Sequence, residues 1–220
     1  MENILLPLRE DNGLQASYNQ ITKLCKYKKQ KQINNKEMTC SEWLEVFDGE
    51  LLFNNCQNKQ NDQFTRASHI VKIILELNIK TICLFDGHGR MFYSIIKLLE
   101  NPNDYKFIFF ELDDQTHLWH KEFFPMKNCV NIHGNIFSYE IPNDYFVYLN
   151  FCGLGDNHTD IKTFVQTRTN TTMFSCSRRC PNKKKNKTST LIHNLYRING
   201  MTMKKMCNLG TFETFIITCK

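Results

Sequence analysis

The stretch Thr81–Arg90, TICLFDGHGR, decides how the rest of the chain is interpreted. A short apolar run ends in Asp86-Gly87-His88-Gly89 and is followed by the amphipathic run Met91–Leu99. This order predicts a strand, a tight turn and a helix, with backbone N–H groups at the helix start available to an anionic or polar ligand group. A Gly-x-Gly turn is also common in ordinary strand-to-helix connections, which is the alternative for this stretch taken alone.

Three further apolar runs also end in polar or small residues. Glu111 closes the core of KFIFFELDD, Lys106–Asp114, about twenty residues after the glycines, where doubly wound sheets place a carboxylate on the ribose hydroxyls of an adenosine-containing cofactor. The run CVNIH, Cys129–His133, leads into Gly134-Asn135-Ile136-Phe137, and YFVYLN, Tyr145–Asn150, leads into Phe151-Cys152-Gly153. Because ligands bind at the carboxyl edge of a parallel sheet, these four ends predict one site.

Strand and helix patterns alternate along the chain. Helices are predicted within Thr39–Leu52, over Phe64–Leu77 and Met91–Leu99, from a cap at Asp114 or Thr116 to Pro125, and over Thr159–Thr167. A fifth strand is expected at Thr171–Cys176, and Met201–Asn208 with Phe212–Cys219 is typical of an antiparallel hairpin. The order predicts a three-layer α/β sandwich whose mostly parallel, doubly wound sheet ends in that hairpin. Residues 1–63 are interpreted as a basic, helical N-terminal extension, and residues 64–220 as the main domain.

From Phe64 to Lys220 the chain resembles the class I S-adenosylmethionine-dependent methyltransferases. The resemblance rests on the order and spacing of the four strand ends and on the terminal hairpin. It departs from the family at Phe85, since the family usually has an acidic residue two places before the first glycine, and here the acid is Asp86. The resemblance implies that Gly87 and Gly89 approach the methionine part of S-adenosylmethionine, and that Glu111 holds its ribose. It places Asn135 near the adenine and Asn150 opposite the methyl group; the full predicted cofactor set is Asp86, Gly87, His88, Gly89, Glu111, Asp113, Gly134, Asn135 and Ile136.

The charge distribution favours a polyanionic substrate. The chain carries a formal net charge of +6, and no Asp or Glu occurs from Ile161 to Phe212. A field of one sign beside an active site attracts nucleic acid, and a second basic cluster lies in the N-terminal extension. The residues predicted to contact nucleic acid are Arg178, Arg179, Lys183, Lys184, Lys185, Lys187, Lys28 and Lys29. The alternative is that each cluster is a solvated loop.

The residues after the fourth and fifth strands leave the methyl acceptor open. Enzymes that methylate exocyclic base nitrogens carry a short Asp/Asn-Pro-Pro-aromatic turn, which Asn150-Phe151 resembles without the prolines. Enzymes that methylate carbon 5 of cytosine in RNA use cysteine thiols, and Cys152 and Cys176 stand at comparable places. The tetrad of ribose 2'-O methylation is not visible. The candidate catalytic residues are therefore Asn150, Phe151, Cys152 and Cys176.

Composition limits the remaining classes. No run of 18 apolar residues occurs, and Met1–Leu14 lacks a charged start followed by an apolar core, so we expect an intracellular, cytoplasmic protein with no membrane span. Ten scattered cysteines are typical of reduced, buried thiols. A metal site at Cys176, Cys180 and His193 is disfavoured by its spacing, and we predict no metal. The many Asn and Lys residues are typical of an AT-rich genome, such as those of some large viruses and protists.

These observations predict an S-adenosylmethionine-dependent methyltransferase that acts on nucleic acid, with RNA ahead of DNA because no groove-reading motif is present. One alternative is a nucleic-acid-binding module that kept the fold and lost the chemistry. Another is a nicotinamide-dependent oxidoreductase, which is disfavoured by the absence of Gly-x-Gly-x-x-Gly near the N-terminus and by the closing hairpin.

Overall fold

A seven-stranded sheet organises the protein. The computed structural model describes residues 38–47, 52–53, 57–87, 89–151, 163–164, 171–177, 202–209 and 212–218. Its strands are β1 (Thr81–Phe85), β2 (Lys106–Glu111), β3 (Cys129–His133), β4 (Phe146–Phe151), β5 (Thr172–Ser177), β6 (Thr202–Leu209) and β7 (Phe212–Thr218), in the order β3-β2-β1-β4-β5-β7-β6. The predicted strands are all present, and the bounds of β3 agree with the prediction.

The sheet is parallel except at β7. Cys83 in β1 lies between Ile108 of β2 and Val147 of β4, and both pairings are parallel, as are β2 with β3 and β4 with β5. β7 runs antiparallel to both β5 and β6, so the hairpin places its second strand inside the sheet. The predicted three-layer α/β architecture with a mostly parallel sheet and a terminal hairpin is therefore confirmed.

Four described α-helices precede or alternate with the first strands: α1 (Cys40–Val46), α2 (Gln57–Glu76), α3 (Arg90–Leu98) and α4 (Asp114–Phe123). Alternate residues of β1, β2 and β4, such as Leu84, Phe109 and Tyr148, are buried in one apolar cluster with α1, α2 and α3. Burial of this apolar surface is the main force that holds the helices on the sheet. None of the described helices combines the length and apolarity that a membrane crossing requires.

The N-terminal part shares the core of the main domain. Thr39 and Glu42 form a reciprocal capping box at the start of α1. The Trp43 indole nitrogen donates to the Phe123 carbonyl over 3.0 Å, which joins α1 to α4. The predicted helix within Thr39–Leu52 ends at Val46, and the predicted helix from Phe64 begins earlier, at Gln57. The predicted boundary between residues 63 and 64 thus falls inside α2, so the two parts are continuous there.

The connection from β3 to β4 is short and carries no α-helix over the described residues 134–145. It contains a 3-10 turn at Ile136–Ser138, and Ile136 and Ile141 are buried. The Tyr139 ring contacts the Phe110 ring, whose centroid lies 5.2 Å away, on the sheet face opposite Phe109. This connection therefore brings Gly134–Ile136 close to the end of β2. Of the predicted helix Thr159–Thr167, only residues 163 and 164 are described, and they are helical.

Candidate cofactor site

Four parallel strands end at one edge of the sheet. Phe85 at the end of β1 pairs with Leu149 of β4, and Glu111 at the end of β2 pairs with His133 of β3. The Gly134 amide donates to the Glu111 carbonyl over 2.9 Å, which ties the turn after β3 to the end of β2. The structure therefore brings together the predicted cofactor residues that follow β1, β2 and β3.

The turn Asp86–Gly89, here called the glycine turn, connects β1 to α3. Its closing bond runs from the Gly89 amide to the Asp86 carbonyl, at 2.6 Å. Gly89 has φ +69° and a Cβ at this position would overlap the Phe124 ring, so only glycine fits. A Cβ at Gly87 would meet nothing within 4 Å among the described atoms, so this glycine faces open space. Gly87 is the point at which a ligand can approach the backbone closely.

The Asp86 carboxylate is used inside the protein. Its Oδ2 accepts from the amides of Met91 at 2.6 Å and Phe92 at 3.1 Å, in the first turn of α3. Two of the helix N–H groups that the sequence offered to a ligand are therefore occupied by the chain itself. Sequence reasoning predicted Asp86 as a cofactor contact, whereas the observed hydrogen bonds give it the role of an internal cap for α3.

Burial controls the ionisation of Asp86. Loss of solvent raises the pKa of this carboxyl to about 7, against the opposing effects of the two amide hydrogen bonds and of the Arg90 and Arg66 charges. Arg66 is itself buried on α2, and Arg90 Nε donates to the Leu52 carbonyl over 2.6 Å. The glycine turn is thus supported by a buried acid with two cations near it.

Glu111 presents half of its carboxylate to the site. Its Oε1 accepts from the amides of Leu112 at 2.9 Å and Asp113 at 3.0 Å, which fixes the orientation of the group. Within the described residues Oε2 makes no hydrogen bond. Burial raises the pKa of Glu111, while the two amides lower it. An oriented carboxylate with one unused oxygen is a suitable acceptor for a ribose hydroxyl.

Asp113 and Asn135 hold the shapes of the adjoining turns. Asp113 is the N-cap of α4, with Oδ1 accepting from the amide and hydroxyl of Thr116 at 2.8 and 2.7 Å. The sequence placed this cap at Asp114 or Thr116, which is wrong by one position or more. Asn135 Oδ1 accepts from the Phe137 amide at 3.1 Å. Both side chains, predicted as cofactor contacts, therefore have capping partners in the chain, and Ile136 beside them is buried.

Asn150 carries an unsatisfied acceptor at the end of β4. Its Oδ1 is shielded from solvent and has no hydrogen-bond partner among the described residues. A buried polar atom of this kind is costly unless a ligand or water completes it. The neighbouring position in β1 is the start of the glycine turn, because Leu149 pairs with Phe85. Asn150 is therefore placed beside the turn that the cofactor would approach.

Several predicted residues lie outside the part of the chain that the structure describes. For Phe151 and Cys176 only the backbone is described, and the two are paired across β4 and β5. Outside the described residues lie His88, Cys152, Cys180, His193, Arg178, Arg179, Lys183, Lys184, Lys185, Lys187, Lys28 and Lys29. Within the described residues no group of three His, Cys, Asp or Glu side chains is arranged to hold a metal.

Sequence reasoning missed His120 on α4. The side chain is fully buried, and its Nε2 lies 2.8 Å from the Gly87 carbonyl oxygen. No motif marks this residue, because it stands on the apolar side of an amphipathic helix where a core side chain is expected. Only the packing of α4 against the glycine turn identifies it.

Comparison with known proteins supports the fold. No protein-family model matches the sequence, and neither does any curated protein. The 16S rRNA methylase ArmA superposes with a TM-score of 0.51 at 14% identity, over 79% of this chain and 92% of ArmA. The mitomycin 7-O-methyltransferase MmcR gives a TM-score of 0.50 at 10% identity, over 70% of this chain and 53% of MmcR.

A third similar structure contains a cofactor. It is the O-methyltransferase NcsB1 from neocarzinostatin biosynthesis, in complex with S-adenosylmethionine and 2-hydroxy-5-methyl naphthoic acid, with a TM-score of 0.50 at 8% identity over 66% of this chain and 50% of NcsB1. This chain thus spans about half the length of MmcR and NcsB1. The sheet order and these neighbours give the chain the class I fold of the S-adenosylmethionine-dependent methyltransferases.

Proposed function

We propose that the chain is an S-adenosylmethionine-dependent methyltransferase that acts on nucleic acid, with RNA favoured over DNA. The observation that carries this proposal is the edge shared by Gly87 and Glu111. Gly87 faces open space after β1, and the half-used Glu111 carboxylate follows the adjacent, parallel β2. An adenosyl cofactor requires both features. Its methionine part must lie close to the protein backbone, and its ribose hydroxyls need a hydrogen-bond acceptor.

The residues present fit S-adenosylmethionine. Glu111 Oε2 would accept from a ribose hydroxyl, and Gly87 would allow the methionine part to lie against the backbone. The turn after β3, with Gly134 and Asn135, would border the adenine. NcsB1, of similar fold, is solved with this cofactor. When bound, the cofactor supplies an electrophilic methyl group on a sulfonium, and the protein contributes mainly alignment.

Asn150 favours a nitrogen as the methyl acceptor. Its buried Oδ1 lacks a partner among the described residues and would accept an N–H of an exocyclic base amine. That hydrogen bond would direct the nitrogen lone pair, hold the acceptor in line for displacement and exclude water from the amide. An acceptor with no N–H would leave the Asn150 oxygen unsatisfied, which is unfavourable in a buried site.

The charge of the chain supports a nucleic-acid substrate. The formal net charge is +6, and the acid-free stretch Ile161–Phe212 begins ten residues after β4 and includes β5. Such a field raises the local concentration of polyanions. Among proteins of similar fold, ArmA is named as a methylase of 16S rRNA.

Calorimetry with S-adenosylhomocysteine tests the cofactor part of the proposal. We expect saturable binding to the full chain, and about tenfold weaker binding to E111A, because one hydrogen bond between a charged acceptor and a hydroxyl is lost. E111A also loses the two amide hydrogen bonds to Oε1, so its melting temperature should fall and binding is measured well below it. E122A, on the outer side of α4, is the matched control. Binding of NAD in place of S-adenosylhomocysteine, or equal binding by E111A, would contradict the assignment.

A methyl-transfer assay tests the acceptor. The full chain is incubated with tritiated S-adenosylmethionine and, separately, with RNA and DNA, and the labelled nucleoside is identified by mass spectrometry. We expect label on an exocyclic amino nitrogen of RNA. N150A should reduce the rate by at least tenfold while S-adenosylhomocysteine affinity stays within twofold, because Asn150 would contact the acceptor. Label on carbon 5 of cytosine would contradict the role of Asn150 and would instead favour Cys152 and Cys176 as the catalytic residues.

Salt dependence tests the basic segment Ser177–Ser189. Binding of single-stranded RNA should weaken with salt, and replacing Lys183, Lys184 and Lys185 by Ala should reduce the slope of log K against log salt by about 2, since each phosphate contact on a single strand contributes roughly 0.7. A triple variant at three exposed lysines of the helices, Lys72, Lys97 and Lys121, is the control. An unchanged slope in the variant of Lys183, Lys184 and Lys185 would mean that this segment does not contact RNA.

A catalytically inactive binding module is the second candidate. It is favoured by Phe85 at the place of the family's acidic residue, and by Asp86, whose carboxylate is already bonded to the amides of α3. Such a protein would bind RNA without saturable binding of S-adenosylhomocysteine. The calorimetric experiment therefore separates the two candidates.

A further inference from the structure

Helix α4 supports the glycine turn from its buried side. His120 Nε2 lies 2.8 Å from the carbonyl oxygen of Gly87. Because a carbonyl oxygen only accepts, Nε2 must donate, so the imidazole carries a proton on Nε2. The bond holds the Gly87 carbonyl toward the protein interior, while the position of a Cβ on Gly87 faces open space.

Phe124 supports the same turn one helical turn later. A Cβ on Gly89 would overlap the Phe124 ring, so ring and backbone are in close contact there. The ring is itself fixed, since it stacks on Phe109 with centroids 5.3 Å apart and an interplanar angle of 3°, and meets Phe92 edge-on at 5.1 Å. Strand β2 and helix α3 therefore hold Phe124 in place against the turn.

The environment of His120 distinguishes it from an ordinary core residue. The side chain is fully buried among aromatic rings, with Phe109 at 5.1 Å and Trp119 at 5.3 Å between centroids. A polar side chain in such surroundings costs stability unless it is hydrogen-bonded, and an aliphatic or aromatic side chain would fill the same space at lower cost. The hydrogen bond to Gly87 is the contact that a hydrophobic residue does not supply.

We propose that His120 and Phe124 are positioning residues that hold the glycine turn in the conformation which accepts the adenosyl cofactor; this inference rests on the proposed function. His120 fixes the peptide carbonyl of Gly87, and Phe124 fixes Gly89, so the turn is ordered before the cofactor arrives. A turn that is already ordered loses little conformational entropy when the cofactor binds, so the binding free energy is more favourable. Neither residue touches the cofactor in this arrangement, and both act through the backbone of the turn.

The test uses two variants of His120 in the full chain. H120Q keeps a side-chain N–H donor, whereas H120F keeps a ring and removes the donor. We expect the dissociation constant of S-adenosylhomocysteine to rise by about tenfold in H120F, the effect of losing one net hydrogen bond, and to stay within about threefold of wild type in H120Q. Rescue by Gln is an outcome that a loss of packing alone would not produce.

A matched control separates positioning from stability. Phe123 lies on the same helix, stacks on Trp119 with centroids 5.2 Å apart and meets Trp43 of α1 edge-on at 6.1 Å. Its ring also meets Phe124 edge-on at 5.6 Å, whereas the atoms against Gly89 belong to Phe124. F123L should lower the melting temperature without changing S-adenosylhomocysteine affinity. F124L, which withdraws the ring from Gly89, should weaken binding by a few fold, and it keeps the proposal testable when H120F does not fold.

NMR of the free protein gives a readout that requires no cofactor. We expect the nitrogen chemical shifts of His120 to show a proton on Nε2, as the hydrogen bond to the Gly87 carbonyl requires. An Nε2 without a proton, or equal S-adenosylhomocysteine affinity in H120F and wild type, would overturn the inference and leave the proposed function intact. Failure of the wild-type chain to bind S-adenosylhomocysteine would overturn both.

Discussion

The two turns that flank the proposed cofactor site are built in opposite ways. In the glycine turn, Asp86 gives its carboxylate to the amides of α3, and Gly89 is packed against a ring. In the acidic turn, defined here as Glu111–Asp113, one oxygen of Glu111 is used by amides and Leu112 is 54% exposed. Asp86 and Gly89 are thus part of the core, whereas Gly87 faces open space and Glu111 keeps one carboxylate oxygen unused. Substitutions at Asp86, Gly89 and Asp113 should therefore act mainly on stability, and substitutions at Gly87 and Glu111 mainly on binding.

The largest expected effect is at Gly89. G89A must adopt φ +69° and displace the Phe124 ring, so we expect a loss of about 3 kcal/mol in the free energy of unfolding, from left-handed strain and overpacking together. Urea denaturation measures it. G87A is the matched control, because its Cβ meets nothing within 4 Å in the described structure. We expect G87A to keep wild-type stability and to lose cofactor affinity; the reverse pattern would contradict the assigned roles of the two glycines.

The pH dependence of stability tests whether Asp86 is as buried as the structure shows. The folded-state pKa is raised to about 7 from 3.8, so the folded protein binds more protons than the unfolded chain between these values. The contribution of the protonated Asp86 carboxyl to the free energy of unfolding is therefore full below about pH 4 and is lost as the pH rises toward 7. Relative to D86N, which does not titrate, wild-type stability should fall by about 2 kcal/mol between pH 5 and pH 7.

Urea denaturation at pH 5, 6 and 7 for both proteins measures this difference. D86N keeps an oxygen that accepts from the amides of Met91 and Phe92, so it isolates the charge from the cap. Parallel stability curves for the two proteins would mean that the carboxylate is ionised throughout, held by those amides and by Arg90 and Arg66. In that event the glycine turn would be stabilised by an ion rather than by a neutral acid.

The fold could be predicted because its determinants are local and repeated. Each of the strands β1 to β4 is a run of five or six mostly apolar residues with a polar or small residue at its end or directly after it, and this pattern alone locates the edge of the sheet. Glu111 was found in the same way, from its spacing after the glycines. Such signals depend on neighbouring residues, which the sequence displays directly.

The parts of the site that were missed depend on contacts between distant residues. His120 bonds to Gly87 from 33 positions away, and nothing in the helical pattern of α4 distinguishes it from a core residue. Asp86 is an acidic residue directly after β1, where a ligand contact is expected. Only the three-dimensional structure shows that its carboxylate accepts from the amides of α3 instead. Asp113, Asp114 and Thr116 all suit an N-cap, and the end of β2 decides among them.

The smallest expected effect is at Asp113, and it separates the cap from the cofactor site within the acidic turn. D113A removes the acceptor for the amide and hydroxyl of Thr116, so we expect a loss of about 1 kcal/mol in the free energy of unfolding. S-adenosylhomocysteine affinity should stay within twofold, because that oxygen is already used by the chain. D113N is the control, since Asn caps helices about as well as Asp. A D113N protein with wild-type stability and weakened binding would show that Asp113 contacts the cofactor, so that Glu111 and Asp113 would both be ligand contacts.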